Sequence, residues 1–281
     1  MAGLVEPESL RSLLRFWGEG EPALEGVPAL WLEFDLDDPF PDVLSPSVCA
    51  KLGGPFEADW LEEVLLPRLQ GEPLSPAQRG RVRACFEAIP PSADLLYAFC
   101  MLPRPGRPIR LEIYGLDSGA TLGYLERVAP GVVPQAREPA GLFEGVERPH
   151  LSLDLIGGEI SPRIGIEGSF ARQPQREPRW RALFDRLAAA GLCTEAKAEA
   201  ALEWPGWDSF WTAPERWPIG RVGARGYCVR YLSHVKLVCR PDRAPEAKVY
   251  LALGWIGSGE AGARLDGRGG EVGAPLGGQG F

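Results

Sequence analysis

The stretch "IRLEIYG", residues 109 to 115, decides the fold because it alternates strictly between two kinds of side chain. Successive side chains of a β-strand point to opposite faces of the sheet. One face of this strand is therefore aliphatic, with Ile109, Leu111 and Ile113. The other face carries two charges and a phenol, on Arg110, Glu112 and Tyr114. The question for function is whether that charged face meets bulk water or a sheltered site.

The same two-faced alternation recurs along the chain and predicts about eight strands in about four hairpins. The other strand candidates span residues 29–37, 45–52, 93–102, 149–155, 160–170, 227–239 and 246–255. Apolar periodicity and capping residues predict helices at residues 8–17, 57–69, 75–89, 120–129, 178–192 and 194–204. Hairpins separated by helices exclude a doubly wound parallel sheet, in which single strands alternate with helices. The predicted fold class is α+β.

Two architectures satisfy this pattern, because the aliphatic strand faces need a cover that the helices supply. In the first, the hairpins close into an antiparallel β-barrel surrounded by helices, and the polar faces line a lumen that is wide enough for a ligand. This barrel would be a single domain over residues 1–256. In the second, helices cover one face of an open antiparallel sheet, and water wets the charged face. A disordered Gly-rich tail is expected over residues 257–281.

Composition and charge narrow the classes of partner. The 281 residues are 45% hydrophobic and 24% charged, and the net charge of −8 argues against a nucleic-acid partner. No apolar run approaches the roughly 20 residues that cross a membrane, so no membrane partner is expected. The first residues do not have the pattern of a secretion signal. Six cysteines without CxxC spacing are expected to be buried thiols, which predicts a cytoplasmic location.

Three short segments carry a resemblance to a known family. They are "RLEIY" (Arg110, Glu112, Tyr114), "KVY" (Lys248, Tyr250) and, more loosely, "RYLSHVK" (Arg230, His234, Lys236). Strand pairs with these residues on the polar face, followed by helices, resemble the barrel aromatic prenyltransferases, whose ABBA fold has antiparallel strands inside and α-helices outside. The runs at 95–128 and 150–170 are also similar in layout to the cyanobactin peptide prenyltransferases. The resemblance covers residues 28–256 and favours the closed barrel.

The resemblance implies transfer of a dimethylallyl- or geranyl-type group from an isoprenyl diphosphate to a nucleophilic side chain of a peptide or to an aromatic small natural product. Cationic side chains would stabilise the diphosphate leaving group: Arg110, Arg163, Arg230, Lys236 and Lys248. Aromatic rings would shield the allyl cation: Tyr114, Tyr250 and Trp31. Glu33 would orient the acceptor and take its proton, and His234 would donate a further hydrogen bond in the lumen.

Neither a metal nor another cofactor is expected. The Asp-rich segment "DLDDPFPD" (35–42) would have metal-ligand spacing only on a helix, which Pro39 and Pro41 disfavour, so it is interpreted as a loop. Several members of the resembled family ionise the donor without a metal, and magnesium is therefore not expected to be required. The two histidines, His150 and His234, form no zinc set with the cysteines.

Each candidate also has a structural interpretation. A basic residue on the polar face can form a cross-strand salt bridge with Glu112, Asp154 or Glu167, and the tyrosines can pack in a core. The Trp-rich segment 204–218 can cap the core or form a rim that binds a peptide. Two alternatives to an enzyme therefore stay open: a non-catalytic peptide-binding accessory protein of a biosynthetic pathway, and a structural α+β domain.

Overall fold

The computed structural model describes residues 3–4, 8–34, 43–209 and 226–257. The strands are β1 (Gly3–Leu4), β2 (Ala29–Glu33), β3 (Val43–Leu44), β4 (Ser47–Lys51), β5 (Asp94–Cys100), β6 (Ile109–Tyr114), β7 (Arg148–Ile156), β8 (Glu159–Ser169), β9 (Gly206–Ser209), β10 (Gly226–Arg240) and β11 (Arg243–Gly257). The predicted mixture of strands and helices is confirmed. The Asp-rich segment 35–42, the tail from 258 onward and most of the Trp-rich segment lie outside the described residues.

The helices are α1 (Glu8–Gly18), α2 (Ala58–Trp60), α3 (Leu66–Gln70), α4 (Pro76–Glu87), α5 (Ser118–Val128), α6 (Val133–Leu142), α7 (Arg179–Ala189) and α8 (Glu195–Glu203). A π-helical segment, Leu61–Leu65, joins α2 to α3. Helix α6 was not predicted, and Pro139 lies in its interior, where proline disfavours a helix. None of the helices in the described ranges has both the length and the hydropathy that crossing a bilayer requires.

The main sheet has the strand order β11-β10-β8-β7-β6-β5-β4-β2, and β9 also pairs with β10. Within the described ranges no pairing joins the terminal strands β2 and β11, so the sheet is open. The predicted closed barrel is therefore wrong, and the open-sheet alternative fits. Alternation could not decide this point, because side chains alternate in the same way in an open and a closed sheet. Closure depends on whether the first and last strands pair, which no single strand encodes.

Strands β6 and β7 keep the two faces apart in a regular antiparallel register. The aliphatic pairs are Ile109–Leu155, Leu111–Leu153 and Ile113–Leu151. The polar pairs are Arg110–Asp154, Glu112–Ser152 and Tyr114–His150. All of these residues except Tyr114 are buried. The charged face of the opening stretch is thus sheltered from bulk water, although the sheet is not a barrel.

The chain divides into two compact units. The first consists of Met1–Ala140, His150–Ile166 and Cys239–Arg243. Its core holds buried leucines of the segment that runs from the π-helical turn into α3, among them Leu61, Leu65 and Leu69. Helix α3 contacts β5, whose alternate residues belong to the aliphatic face of the sheet. The aliphatic face of the sheet and the apolar side of this helical segment therefore form one buried layer.

The second unit consists of Gly141–Pro149, Glu167–Val238 and Ala244–Phe281. Its core is built on the apolar face of α7, which packs against α8. The indole of Trp180 is buried edge-on against Phe170, with ring centroids 5.0 Å apart, and its Nε1 donates to the carbonyl of Arg172. The helix predicted at 178–192 is thus confirmed, together with its buried face.

Candidate functional site

A buried carboxylate, Asp154 on β7, lies on the polar face of the first unit. Arg110 on β6 donates to it twice, from Nε to Oδ1 at 2.6 Å and from Nη2 to Oδ2 at 3.1 Å. Arg163 on β8 donates a third hydrogen bond, from Nη1 to Oδ2 at 3.2 Å. The side chains of Arg110 and Asp154 are 7% exposed, and that of Arg163 is 25% exposed. Two guanidinium groups therefore share one negative charge in a largely buried place.

Arg104 and Arg240, in addition to Arg110, influence the pKa of Arg163 through their charges. Burial is the largest cause that lowers the pKa of Arg163, and Asp154 opposes the shift. The positive charges of Arg110, Arg104 and Arg240 lower this pKa further. The Nε atom of Arg163 is buried and has no hydrogen-bond partner in the described part of the chain. We call Arg104, Arg110, Arg163 and Arg240 the arginine cluster.

Aromatic rings border the arginine cluster on the same face. The guanidinium carbon of Arg110 lies 5.8 Å from the ring centroid of Phe99. The ring of Tyr97 lies between Phe99 and Trp31, at centroid distances of 6.3 and 5.1 Å. This row follows from the strand register, because Trp31 pairs with Cys49, Cys49 with Phe99, and Phe99 with Arg110. Trp31, a predicted shield residue, thus lies on the face that carries Arg110.

Glu33, the predicted catalytic acid, lies at the end of the terminal strand β2. One of its carboxylate oxygens is 3.9 Å from Nη2 of Arg104. The pKa of the Cys49 thiol is raised first by burial and then by the charges of Glu112 and Glu33, while Arg110 lowers it. The shared influence on Cys49 indicates that both carboxylates face this part of the sheet. Glu33 thereby has an arginine neighbour, as Asp154 does.

A carboxylate–histidine pair lies further along the same face. The Nδ1 atom of His150 is 2.9 Å from Oε1 of Glu112, and the two side chains are 5% and 11% exposed. Tyr114, a predicted shield residue, packs edge-on against the imidazole with ring centroids 5.1 Å apart. The arrangement is able to hold the histidine ring in one orientation, because the carboxylate fixes one nitrogen and the phenol ring packs against the imidazole.

The second unit has its own buried ion pair, between Lys236 on β10 and Glu167 on β8. The other oxygen of Glu167 is 3.2 Å from Nε2 of His234. The imidazole of His234 stacks on the ring of Tyr250, with centroids 4.0 Å apart and planes 17° from parallel. Three of the predicted residues therefore gather around one carboxylate that the prediction had not assigned to the site.

Arg230 and Lys248, the other two predicted cations of the second unit, have carboxylate neighbours other than Glu167. The Nε of Arg230 is 3.4 Å from a carboxylate oxygen of Asp208, and its guanidinium lies over the ring of Trp204 at 5.3 Å. The Nζ of Lys248 is 3.9 Å from Glu246, and its side chain is 42% exposed. Lys248 is thus the most solvent-exposed of the predicted diphosphate ligands.

The predicted site residues divide between the two units. The first unit holds Trp31, Glu33, Arg110, Tyr114 and Arg163, and the second holds Arg230, His234, Lys236, Lys248 and Tyr250. All five predicted cations have a carboxylate neighbour. For Arg110, Arg163 and Lys236 it is one that the cross-strand interpretation named, Asp154 or Glu167. Arg230 instead faces Asp208, and Lys248 faces Glu246 on its own strand.

Sequence reasoning missed three residues of the polar face in the first unit: Arg104, Arg240 and His150. Arg240 could have been found, because it continues the alternation that places Arg230 and Lys236 on one face of β10. Arg104 lies in the turn between β5 and β6, where no strand period applies. Alternation with Ser152 and Asp154 also places His150 on this face, but only the register shows that it lies opposite Tyr114 and close to Glu112.

Comparisons of the chain with protein-family models, with curated proteins and with solved structures found no match. Its function is therefore argued from the geometry of these side chains.

Proposed function

We propose that the chain is a prenyltransferase that moves a dimethylallyl- or geranyl-type group from an isoprenyl diphosphate to a nucleophilic side chain of a peptide or to a small natural product. In this proposal the arginine cluster of the first unit holds the diphosphate. The Glu167–Lys236 ion pair of the second unit has no assigned part in that binding. The proposal retains the chemistry that the sequence resemblance implies and replaces the lumen of a barrel with one sheltered sheet face.

The supporting observation is the gathering of four arginines around Asp154. Two guanidinium groups bind this single carboxylate, and Arg104 and Arg240 lie close enough to lower the pKa of Arg163. A diphosphate offers negative charge and several acceptor oxygens that suit the planar forks of clustered arginines. The buried Nε of Arg163, which has no hydrogen-bond partner among the described residues, is a donor that such a ligand could use.

The same residues fit the needs of donor ionisation. Breaking the C–O bond of an allylic diphosphate leaves negative charge on the leaving group, which fixed guanidinium groups stabilise. The allylic cation that remains is tolerated by aromatic faces, and Phe99, Tyr97 and Trp31 line the neighbouring strands. Because the arginines supply the positive charge, we expect donor binding to proceed without magnesium.

Calorimetric titration in magnesium-free buffer tests this proposal, with dimethylallyl diphosphate and inorganic pyrophosphate as separate ligands. The Arg163→Gln variant should bind both ligands about 10- to 100-fold more weakly, as expected for the loss of a charge-assisted hydrogen bond. Arg176→Gln, the same change at an exposed arginine of the second unit, should bind as the wild type does. Mass spectrometry of peptide and aromatic acceptors then tests transfer. A wild type that binds neither diphosphate would contradict the proposal.

A non-catalytic peptide-binding accessory protein is the second candidate, and a specific observation favours it. Every predicted cation already faces a carboxylate, so the charges could serve only to stabilise the sheet. In the second unit, Trp207 is 60% exposed and packs edge-on against Tyr227, which offers apolar contact area to a peptide. Under this alternative, a peptide ligand binds, Trp207→Ala weakens its binding, and pyrophosphate shows no binding in the same calorimeter.

A further inference from the structure

The Glu112–His150 pair has the geometry of an oriented base. Glu112 accepts a hydrogen bond only from a protonated Nδ1, because an ionised carboxylate has no proton to donate. Of the two tautomers of the imidazole, the 2.9 Å contact between Nδ1 and Oε1 therefore favours the one with its proton on Nδ1. In that tautomer Nε2 carries the lone pair. Among the described residues, the hydrogen bond of the His150 ring is the one from Nδ1 to Glu112, and none engages Nε2.

The pair lies beside the arginine cluster on the same sheet face. Glu112 follows Arg110 by two residues on β6, which places it about 7 Å further along the strand and on the same side. On β7, His150 and Asp154 are likewise on one side, and the register sets them opposite Tyr114 and Arg110. A ligand that holds its diphosphate on the arginines and extends along the strands would bring its reactive carbon toward the histidine.

We propose that His150 is the general base for the acceptor, and that Glu112 is the residue that positions it. This inference rests on the proposed prenyl transfer. The bond between C1 of the donor and the diphosphate oxygen breaks, and its electron pair leaves with the diphosphate. A bond forms between C1 and the nucleophilic atom of the acceptor, and the proton of that atom moves to Nε2 of His150, which later releases it to water. The acceptor is thus a proton-bearing nucleophile, such as a phenol, an indole or an aliphatic hydroxyl.

Glu33 has a different environment from His150. Its carboxylate faces Arg104 at 3.9 Å, and its strand is the terminal one of the sheet. The inference therefore assigns the proton to His150 and leaves Glu33 as the partner of Arg104.

Nitrogen-15 NMR of the imidazoles provides a test that needs no variant, because the chain has only two histidines. We expect His150 of the wild type to have its proton on Nδ1 and a bare Nε2. The Glu112→Gln variant should lose this preference, whereas Glu199→Gln, the same change at an exposed ion pair, should retain it. A wild-type His150 that is protonated on Nε2 instead would overturn the inference.

The kinetic test uses His150→Ala with dimethylallyl diphosphate and the acceptor that the wild type modifies. Transfer should slow by about 100-fold or more, as expected for loss of a general base, while pyrophosphate affinity is retained. Added imidazole should restore part of the rate, which a merely structural role of His150 would not allow. Unchanged transfer in this variant would overturn the inference alone. A wild type that binds diphosphate but modifies no acceptor would overturn both the inference and the proposed transfer.

Discussion

Asp154 illustrates, at the scale of single residues, how the partner on the next strand sets the role of a charged side chain. Its carboxylate accepts three hydrogen bonds, from Arg110 and Arg163, in a place that water hardly reaches. Without it, both guanidinium groups would lose the carboxylate that accepts these hydrogen bonds. Asp154 therefore stabilises the ligand-free sheet, and it competes with any anionic ligand for the same donors.

We expect the Asp154→Ala variant to lose about 3–5 kcal/mol in its free energy of unfolding, because one partner of a buried ion pair is removed. Urea titration measures this loss. The matched change at an exposed pair, Glu199→Ala, removes a carboxylate that faces Arg181 and should cost far less, because water screens this pair. Pyrophosphate should recover part of the Asp154→Ala loss, since a ligand of the native state stabilises it. Equal losses in the two variants would show that the buried pair does not stabilise the fold.

At the scale of elements, the turn between β7 and β8 fixes the strands that carry the site. It consists of Gly157 and Gly158, whose φ angles are +59° and +95°. Residues with a Cβ atom rarely adopt such positive φ angles, whereas glycine adopts them readily. A two-glycine loop therefore suits the tight turn of a hairpin. A Cβ atom on Gly158 would lie 2.8 Å from Ala77 at the start of α4. The turn therefore sets both the hairpin register and its approach to a helix.

The Gly158→Ala variant should be destabilised by roughly 1–3 kcal/mol, because it combines a positive φ with a steric clash. Gly123→Ala is the control, since the added Cβ meets nothing within 4 Å on helix α5. That change should stabilise the chain by roughly 0.5–1 kcal/mol through the higher helix propensity of alanine. Thermal denaturation of both variants measures the two effects, and a shift of the same sign in both would contradict the assignment of strain to the turn.

At the scale of the whole molecule, the six thiols report on burial in both units. Five are buried, and Cys193, which lies between α7 and α8, is partly exposed. Burial raises the pKa of Cys100 and of Cys239 to about 12, which keeps both as unreactive thiols. The pKa of Cys193 is also raised by burial, but this thiol is accessible to reagents. Reactivity should therefore be confined to one position while the chain is folded.

A thiol-reactive chromophore at mildly alkaline pH should label one cysteine of the native protein, Cys193, and all six after unfolding. The Cys193→Ser variant should show no labelling until it unfolds. Peptide mapping identifies the position that reacts first. Rapid labelling of Cys49 in the native chain would be inconsistent with the buried polar face, because Cys49 lies between Trp31 and Phe99 on that face.

Much of the fold could be predicted because its signals are local. The alternation in "IRLEIYG" and the capping box of Ser75 and Gln78 act within a few residues, and the structure confirms the strand β6 and the helix α4. The candidate site was predicted less completely. Arg110 and Arg163 were named, but Arg104 in a turn and His150 opposite Tyr114 have no local signal that distinguishes them.

The sequence by itself determined which side chains share a face, because the period of two in a strand is a property of the backbone. It also determined that helices would cover the aliphatic faces, since such faces must be buried. Only the tertiary structure decided that the sheet stays open, and that Arg110 meets a carboxylate 44 residues further along the chain. Both outcomes depend on the register between strands that are distant in sequence. That register is selected by the packing of the whole sheet, and no short segment specifies it.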